Sequence, residues 1–449
     1  MFADFILAKI QEFQDKDAFI LNDKTYSYKD ILNQYSCALN TIKEKGIKSG
    51  DIIALEGDFS PISTAFLLAL INMNCIIIPL TKSLKQKKQE FIEIGEANYS
   101  IILDDENIVD IIKLETNIAS HNPIYERLIN IQHPGLVLFS SGSTGASKGT
   151  VHDFANILEK FKTPKKTKRM ITFLMFDHIG GINTLLYNIA NGGCIITVRD
   201  RSPENVLSII DKYKVQTLPV SPTFINLILL SEAYKKYDLS SLETVSYGTE
   251  VMPESTLIRF NQLLPNVRLL QTYGLSELGI MDTKSKSNDS LWVKLGGEGF
   301  ETRVRDGMLE IKARSAMLGY LNAPSPFTDD GWFKTMDAVE QDGEFFKILG
   351  RKSEIINIGG EKVYPAEVES FFLEMPGVID IAVKGEPNPI MGNIVVAKFS
   401  ISTDESLKEF TKRMRAYAKD KLPTYKIPQQ IHIVGKDDIH SIRLKKDRK

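Results

Sequence analysis

The chain has 449 residues, of which 43% are hydrophobic and 25% are charged, and its formal net charge at pH 7 is −2. This balance is typical of globular proteins and excludes the disordered and fibrous classes, while the lack of excess positive charge argues against nucleic acid as the main partner. Because single hydrophobic cores stop growing near roughly 250–300 residues, the length predicts at least two domains.

The N-terminal stretch MFADFILAKIQEFQDKDAF carries acidic residues within its apolar run and lacks a basic leader region. It therefore does not resemble a signal peptide, and we expect a cytoplasmic protein. The long apolar segment 62–80 contains Asn72 and Asn74 and has a proline near its end, which predicts a buried helix followed by a buried strand. We expect no membrane span.

The cysteines are few, and none forms a CxxC pair. Cys37, Cys75 and Cys194 each have apolar neighbours in the sequence, which is typical of core thiols. This usage predicts a reducing compartment and no zinc site.

Short apolar runs such as DIIALEG, CIIIPL and SIILDD alternate with segments of helical period such as PENVLSIIDKY, which predicts an α/β protein with mostly parallel sheets. After about residue 290 the strands shorten and Gly-containing turn pairs separate them, which predicts a small antiparallel β subdomain. A turn, a helix opened by Pro365 and a further strand, helix and strand follow Gly350. We therefore predict domains at 1–351 and 352–449.

The first chemical motif is the stretch SSGSTGASKG, which lies between the apolar run LVLF and the segment TVHDFANILEKF. This order predicts a strand, a glycine-rich loop and a helix, whose backbone N–H groups, hydroxyls and ammonium can surround a phosphate. It differs from the GxxxxGK[ST] loop because Ser147 stands where that pattern requires Gly. The candidate phosphate-binding residues are Ser140, Ser141, Gly142, Ser143, Thr144, Gly145 and Lys148.

Three further motifs are weak when taken singly. QTYGLSELG presents Tyr273, Ser276 and Glu277, and its carboxylate suits Mg²⁺ bound to phosphates, although such a turn is more often a solvated loop. Asp337 and Arg351 could bind ribose hydroxyls. The C-terminal SIRLKKDRK by itself predicts only a solvated basic tail.

Together, these motifs resemble those of the adenylate-forming superfamily of acyl-CoA synthetases, peptide-synthetase adenylation domains and firefly luciferase, over nearly the whole chain. SSGSTGASKG is similar to [ST]SG[ST]TGxPKG, with Ser147 in place of Pro, and YGLSE is similar to YGxTE, with Ser276 in place of Thr. GWFKTMD resembles GWxxTGD, with Met336 in place of Gly. RLKKDRK resembles NGKxxR, with Arg443 and Leu444 in place of Asn and Gly.

The resemblance implies a large N-terminal domain for ATP and acid and a small mobile C-terminal domain that turns about Ser353. It implies ATP and Mg²⁺ as cofactors, with Glu277 holding the metal, and CoA as co-substrate. The implied catalytic residues are Lys445, Glu277, Ser276 and Lys148. SYGTEVM resembles the turn beside adenine, and the other implied ATP-binding residues are Gly248, Thr249, Glu250, Tyr273, Gly274, Ser276, Asp337 and Arg351, together with the phosphate-loop residues named above.

The segment MFDHIGGINTLLYNIANGGC resembles the family's acyl-pocket segment, so Asp177, His178, Gly180 and Gly181 are expected to line the acid pocket. One alternative is a buried His178 whose ring is satisfied by backbone. Another is that Asp177 holds the ammonium of an amino-acid substrate, as in amino-acid-activating domains. A plain carboxylic acid is the favoured substrate.

The resemblance implies ATP-dependent conversion of a small carboxylic acid to acyl-AMP with release of pyrophosphate, followed by transfer to the thiol of CoA. The alternative acceptor is an acyl carrier protein, and the alternative activity is amino-acid activation. A non-catalytic nucleotide-binding homologue is the alternative from another class, and Met336, Arg443 and Leu444 would favour it. No nucleic-acid partner is expected.

Overall fold

The chain folds into alternating helices and strands, followed by a small β sheet and a separate C-terminal α/β unit. The structure, a computed structural model, describes residues 1–84, 87–115, 122–141, 147–389, 391–440 and 446, apart from the side chains of Ser141, Lys436 and Asp437. The α-helices of the described residues are α1 (Asp4–Glu12), α2 (Tyr28–Glu44), α3 (Pro61–Asn72), α4 (Lys88–Ile94), α5 (Pro123–Asn130), α6 (Phe154–Leu158), α7 (Ile179–Asn191), α8 (Pro203–Tyr213), α9 (Pro222–Ser231), α10 (Glu254–Leu263), α11 (Pro365–Leu373) and α12 (Leu407–Ala418).

The strands of the N-terminal part alternate with these helices as far as β13. They are β1 (Asp17–Leu21), β2 (Lys24–Ser27), β3 (Ile52–Glu56), β4 (Ile76–Leu80), β5 (Tyr99–Leu103), β6 (Ile108–Lys113), β7 (Gly135–Ser141), β8 (Ser147–Asp153), β9 (Arg169–Thr172), β10 (Cys194–Thr197), β11 (Thr217–Val220), β12 (Thr244–Tyr247) and β13 (Arg268–Gln271). The remaining strands are β14 (Gly274–Leu275), β15 (Gly279–Ile280), β16 (Asp282–Ser285), β17 (Trp292–Gly296), β18 (Phe300–Arg305), β19 (Met308–Ala313), β20 (Gly319–Tyr320), β21 (Phe333–Asp342), β22 (Phe345–Arg351), β23 (Ile356–Ile358), β24 (Glu361–Val363), β25 (Val378–Asn388), β26 (Gly392–Ile401) and β27 (Gln430–Ile433).

Two seven-stranded sheets form the centre of the N-terminal part. The first has the order β13-β12-β11-β9-β10-β1-β2 and is parallel except for the β1–β2 pair. The second has the order β20-β8-β7-β4-β3-β5-β6, with parallel strands at its centre and antiparallel strands at its edges. Helix α3 is buried on all sides, as expected for a helix packed between layers. The predicted helix and strand over 62–80 are thus confirmed as α3 and β4.

The predicted small β subdomain is a six-stranded antiparallel sheet of order β16-β17-β22-β21-β19-β18. Beyond it, β25, β26 and β27 form a sheet covered by α11 and α12, and the buried apolar residues from Ile356 to Ile431 make a hydrophobic cluster of their own. The predicted fold class, a large N-terminal α/β unit followed by a small C-terminal one, is confirmed. The boundary between residues 351 and 352 stays a prediction.

Two local predictions are wrong. The glycine-rich segment is followed by a strand, because β8 pairs antiparallel with β7, and the helix α6 begins only at Phe154. The motif is therefore a hairpin rather than a strand, loop and helix. Cys37 is exposed, whereas Cys75 and Cys194 are buried as expected, because Cys37 lies on the solvent side of α2.

Within the described part of the chain, the search for a helix both long and apolar enough to cross a bilayer gave none.

Candidate active site

A buried acid, a phenol and a guanidinium meet where β21 and β22 end. Asp337 and Arg351 face each other across these two strands, and the Arg351 Nε lies 3.6 Å from the Asp337 Oδ1. The Tyr273 hydroxyl donates a 2.5 Å hydrogen bond to the Asp337 Oδ2. Burial raises the pKa of Asp337, while Arg351 and Tyr273 oppose that rise. The carboxylate thus lies between a hydroxyl and a guanidinium, both of which favour its ionised form against the effect of burial.

Glu277, shortly after Tyr273 in the same motif, supplies a second carboxylate. The Tyr320 hydroxyl donates a 2.7 Å hydrogen bond to the Glu277 Oε1, and burial together with Glu277 raises the pKa of Tyr320. The Lys148 Nζ lies 5.4 Å from the centroid of the Tyr320 ring, within range of a cation–π contact. Strand β20 therefore brings the YGLSE turn and the lysine of the glycine-rich hairpin to one place.

Two further side chains hold this arrangement together. His152 is fully buried on β8, with its Nε2 2.5 Å from the Ser276 carbonyl and its Nδ1 3.2 Å from the Ser315 carbonyl. Burial lowers the pKa of His152, although the two carbonyls oppose that effect. The Asn322 side chain accepts from the Gly149 N–H at 3.1 Å and donates to the Ser147 carbonyl at 2.8 Å, so it fixes the start of β8.

Tyr273, Asp337 and Arg351 border a cleft of about 320 Å³ at the carboxyl ends of β12 and β13, the edge at which open α/β sheets bind ligands. Gly248 is required there, because a Cβ would lie 2.7 Å from the Thr272 carbonyl oxygen. Thr249, which also lines the cleft, has a φ of 75°, an uncommon conformation for a residue other than glycine. The lining residues are Gly248, Thr249, Glu250, Val251, Gln271, Thr272, Tyr273, Gly274, Leu275, Asp337, Ile348, Gly350, Arg351, Glu354 and Lys446.

The structure brings together Lys148, Tyr273, Glu277, Asp337 and Arg351, which the sequence predicts as site residues, and the adenine-side turn with them. Ser140 and Ser141 end β7, and Ser276 contributes its carbonyl to His152. Ser353, the predicted hinge, lies in the turn after β22. Lys445 and the loop residues Gly142, Ser143, Thr144 and Gly145 lie outside the described residues.

The predicted acid-pocket segment begins α7. The His178 side chain caps this helix, because its Nδ1 accepts from the Gly180 N–H at 3.0 Å. A Cβ on Gly181 would lie 2.0 Å from the Met175 carbonyl oxygen, so close packing alone requires that glycine. Asp177 is buried. Beside it, the Phe176 ring meets Phe59 edge-on in the wall of a cavity of about 870 Å³.

Sequence reasoning missed Tyr320, Asn322, His152 and Lys446. Tyr320 and Asn322 belong to the polar sequence GYLN, which directly follows an apolar stretch, and this could have marked them. His152 carried a weaker signal as an isolated histidine within the apolar strand β8. The contacts of His152 and Asn322 are made across 124 to 175 residues of chain, which no local pattern encodes.

Mg²⁺ is the metal that the resemblance implies, and the donor set at Glu277 is compatible with it. Mg²⁺ binds proteins through one or two carboxylates and completes its coordination with substrate phosphates and water. Glu277 supplies one such carboxylate, and it accepts a hydrogen bond from Tyr320, whose ring also contacts the Lys148 ammonium. Among the described residues, no group of three or more His, Cys, Asp or Glu side chains forms a site made of protein ligands alone.

Comparison with known proteins gives family and fold matches over most of the chain. A sequence model described as AMP-binding enzyme matches residues 7–299, and one described as AMP-binding enzyme C-terminal domain matches residues 367–446. The chain is 25% identical to the 2-succinylbenzoate–CoA ligase of Listeria monocytogenes serotype 4b (strain F2365), over 93% of this chain and 92% of that protein. It is 28% identical to the long-chain-fatty-acid–CoA ligase of Bacillus subtilis (strain 168), over 67% of this chain and 58% of that protein.

Among solved structures, the anthranilate CoA ligase AuaEII in complex with anthranoyl-AMP has the same fold. The TM-score is 0.81 at 18% sequence identity, and the match covers 96% of this chain and 93% of that one. At this level of identity the likeness concerns the fold alone.

Proposed function

Because the chain belongs to the family of AMP-binding enzymes, we propose that it activates a carboxylic acid with ATP and transfers the acyl group to the thiol of CoA. In the first half-reaction a carboxylate oxygen attacks the α-phosphorus of ATP, the bond to the bridging oxygen breaks, and pyrophosphate leaves with that oxygen. In the second, the CoA sulfur attacks the acyl carbon, AMP leaves with its oxygen, and the thiol proton passes to solvent.

The cluster of Tyr273, Asp337 and Arg351 at the mouth of one cleft is the observation that carries this proposal. A buried carboxylate flanked by a cation can accept hydrogen bonds from both hydroxyl groups of a ribose. The turn at Gly248 and Thr249 lines the same cleft and leaves room for a flat base beside the ribose. The arrangement suits a nucleoside monophosphate, which is the part of ATP that both half-reactions retain.

Catalysis at such a site consists mainly of positioning and charge neutralisation, since two anions must meet. Lys148 is proposed to bind the departing pyrophosphate and Glu277 to hold Mg²⁺, which supplies further positive charge when bound. Lys445 is proposed to bridge the acid carboxylate and the α-phosphate. For the second half-reaction, the C-terminal unit is proposed to turn about Ser353 and admit the thiol.

The acid is left open by the comparisons, because the relatives named above carry different acids in their names, whereas CoA is common to them. Asp177, His178, Gly180 and Gly181 remain the proposed pocket segment. The helix-capping role of His178 explains that residue without a ligand, which favours Phe176 and Phe59 as the groups that meet the acyl part.

Pyrophosphate release tests the proposal. Purified protein is mixed with ATP, Mg²⁺ and one acid at a time from fatty, aryl and amino-acid classes, with hydroxylamine to capture the acyl-adenylate. Release that depends on one acid class is expected, and subsequent CoA-dependent loss of free thiol identifies the acceptor. If CoA fails and a phosphopantetheinylated carrier protein succeeds, the acceptor in this proposal is wrong.

Variants connect the activity to the cleft. Asp337→Asn is expected to raise the KM for ATP by about tenfold or more, because it replaces a charged hydrogen-bond acceptor. Asp330→Asn is the matched control, since Asp330 is an exposed acid in the turn before β21 and pairs with Arg303 of β18. Equal effects of the two substitutions, or no pyrophosphate with any acid despite ATP binding, would overturn the proposal.

A further inference from the structure

The described part of the chain ends in a buried charged cluster that the proposed chemistry does not use. The Lys446 side chain is only 6% exposed, and its Nζ lies 3.2 Å from the Asp380 Oδ1 and 3.7 Å from the Glu369 Oε2. The same ammonium donates a 2.6 Å hydrogen bond to the Ile381 carbonyl. Both carboxylates are 1% exposed, so this lysine is their compensating cation in the interior of the C-terminal unit.

His440 lies beside the same cluster and connects it to the chain terminus. Its Nε2 lies 2.9 Å from the Asp380 Oδ2, and its backbone pairs with that of Lys446 in an antiparallel bridge. Burial alone would raise the pKa of Asp380, but Lys446 and His440 outweigh burial and bring it to about 2. Asp380 is therefore a buried negative charge that holds both His440 and Lys446.

The backbone of Lys446 reaches in the other direction, into the N-terminal unit. Its N–H donates to the Glu250 Oε2 at 3.2 Å, and the Glu250 Oε1 accepts from the Thr223 N–H at 2.8 Å. Glu250 belongs to the turn that lines the nucleotide cleft, and Lys446 lines that cleft as well. One residue thus joins the buried C-terminal charges to the nucleotide site.

We propose that Lys446 is a positioning residue for the adenylation step, an inference that rests on the proposed function. The Asp380 and Glu369 contacts lie within the C-terminal unit and persist when that unit turns, whereas the Glu250 contact joins the two units and must break. The buried charges then hold Lys446 in the C-terminal unit, and the Glu250 contact sets the position of Lys446 at the cleft. Lys445, which the proposed function assigns to adenylation, directly precedes Lys446 in the sequence, so loss of the Lys446 contacts is expected to affect that step.

This assignment predicts different effects on the two half-reactions. Lys446→Met is expected to lower the kcat of pyrophosphate release by roughly 10²-fold, since a displacement of about 1 Å at a reacting group costs that much. Formation of the thioester from a prepared acyl-adenylate and CoA should stay within about threefold of the parent protein. Lys446→Arg keeps the charge between the two carboxylates and should recover most of the adenylation rate.

Lys426→Met is the matched control. Lys426 is also a poorly exposed lysine paired with a carboxylate of helix α11, namely Glu367, but its contacts lie away from the chain terminus. Its loss should leave the ratio of the two half-reaction rates unchanged. If Lys446→Met lowers both half-reactions equally, or if Lys426→Met changes the ratio as strongly, Lys446 is merely structural and the inference is overturned.

A variant in the other unit covers the case in which Lys446→Met does not fold. In Glu250→Gln the amide offers only one oxygen to the Thr223 and Lys446 N–H groups, and the C-terminal cluster is untouched. At saturating ATP we expect a lower kcat for adenylation with unchanged thioester formation, and an effect only on the KM for ATP would overturn the inference. Absence of pyrophosphate release by the parent protein would instead refute the proposed function.

Discussion

The hydrogen bond between Tyr273 and Asp337 offers the sharpest test of the nucleotide site. Tyr273→Phe removes the hydroxyl that donates to the Asp337 Oδ2 at 2.5 Å and leaves the rest of the ring in place. Asp337 is 6% exposed, and its remaining cation, Arg351, lies 3.6 Å away on a side chain that is 57% exposed. Hydrogen bonds to charged groups contribute about 1.5–3 kcal/mol, so we expect a loss of about 2 kcal/mol in the free energy of unfolding.

Urea denaturation at several pH values measures this loss. The matched control is Tyr125→Phe, whose buried hydroxyl donates to a neutral acceptor, the Gly95 carbonyl, at 2.9 Å. Its expected cost is about 1 kcal/mol. Because the Tyr273 hydroxyl opposes the burial that raises the pKa of Asp337, the cost of Tyr273→Phe should shrink as pH falls and Asp337 becomes protonated. The Tyr125→Phe cost should not change over that range.

The same variant reports on ATP. If Asp337 binds the ribose, Tyr273→Phe weakens ATP binding in calorimetry, whereas Tyr125→Phe does not. Equal unfolding costs for the two variants at every pH, together with unchanged ATP affinity, would refute the view that Tyr273 holds an ionised Asp337 in place for the nucleotide.

Three other predictions concern the backbone and the C-terminal unit. Met336 has a φ of 62°, so Met336→Gly should relieve about 1–2 kcal/mol of backbone strain and lose about 0.5–1 kcal/mol to the greater freedom of glycine in the unfolded chain. The expected result is a small increase in the free energy of unfolding, measured by urea denaturation. A decrease would mean that side-chain contacts of Met336 outweigh the strain. Gly181→Ala should destabilise the protein by about 3 kcal/mol, since its Cβ would lie 2.0 Å from the Met175 carbonyl oxygen. The control Gly57→Ala, whose Cβ meets nothing closer than 3.4 Å, should cost less than about 1 kcal/mol. Similar costs for the two variants would contradict this packing. The pKa of Asp380 is lowered to about 2, so its charge should stabilise the C-terminal unit above the unfolded pKa of about 3.9, and this stabilisation should be lost as pH falls towards 2. An acid titration followed by circular dichroism should therefore be steeper for the parent protein than for Asp380→Asn. Identical titrations would exclude this role.

Much of the molecule could be predicted from the sequence. The family and the α/β fold with a small C-terminal unit are confirmed, because both depend on apolar periodicity and on motifs that each lie within a few consecutive residues. Met336 is an instructive case: it replaces the family's glycine yet keeps a left-handed φ of 62°.

The predicted helix after the glycine-rich segment was wrong for a physical reason. Residues 147–153 have mixed local preferences, and it is the pairing of β8 with β7, and then with β20, that makes them a strand. The strand propensity of individual residues is a weak predictor of structure where a segment can form backbone hydrogen bonds with a neighbouring strand on each side. The same strand carries His152 into the interior, where the Ser276 carbonyl gives it a partner that lies 124 residues away.

By itself, the sequence determined which chemical groups this protein has: a glycine and lysine motif predicted to bind phosphate, a carboxylate predicted to hold Mg²⁺, an acid and an arginine predicted to bind ribose, and basic residues near its end. Only the tertiary structure decided which of these groups meet. Three contacts join residues that are far apart in the sequence. Tyr320 meets Glu277 across 43 positions, and Asn322 bonds to the Ser147 carbonyl across 175 positions. Lys446 is buried between Glu369 and Asp380, which lie 77 and 66 positions before it. Such contacts arise because burial makes unpaired polar groups costly, and the fold rather than the local pattern selects their partners.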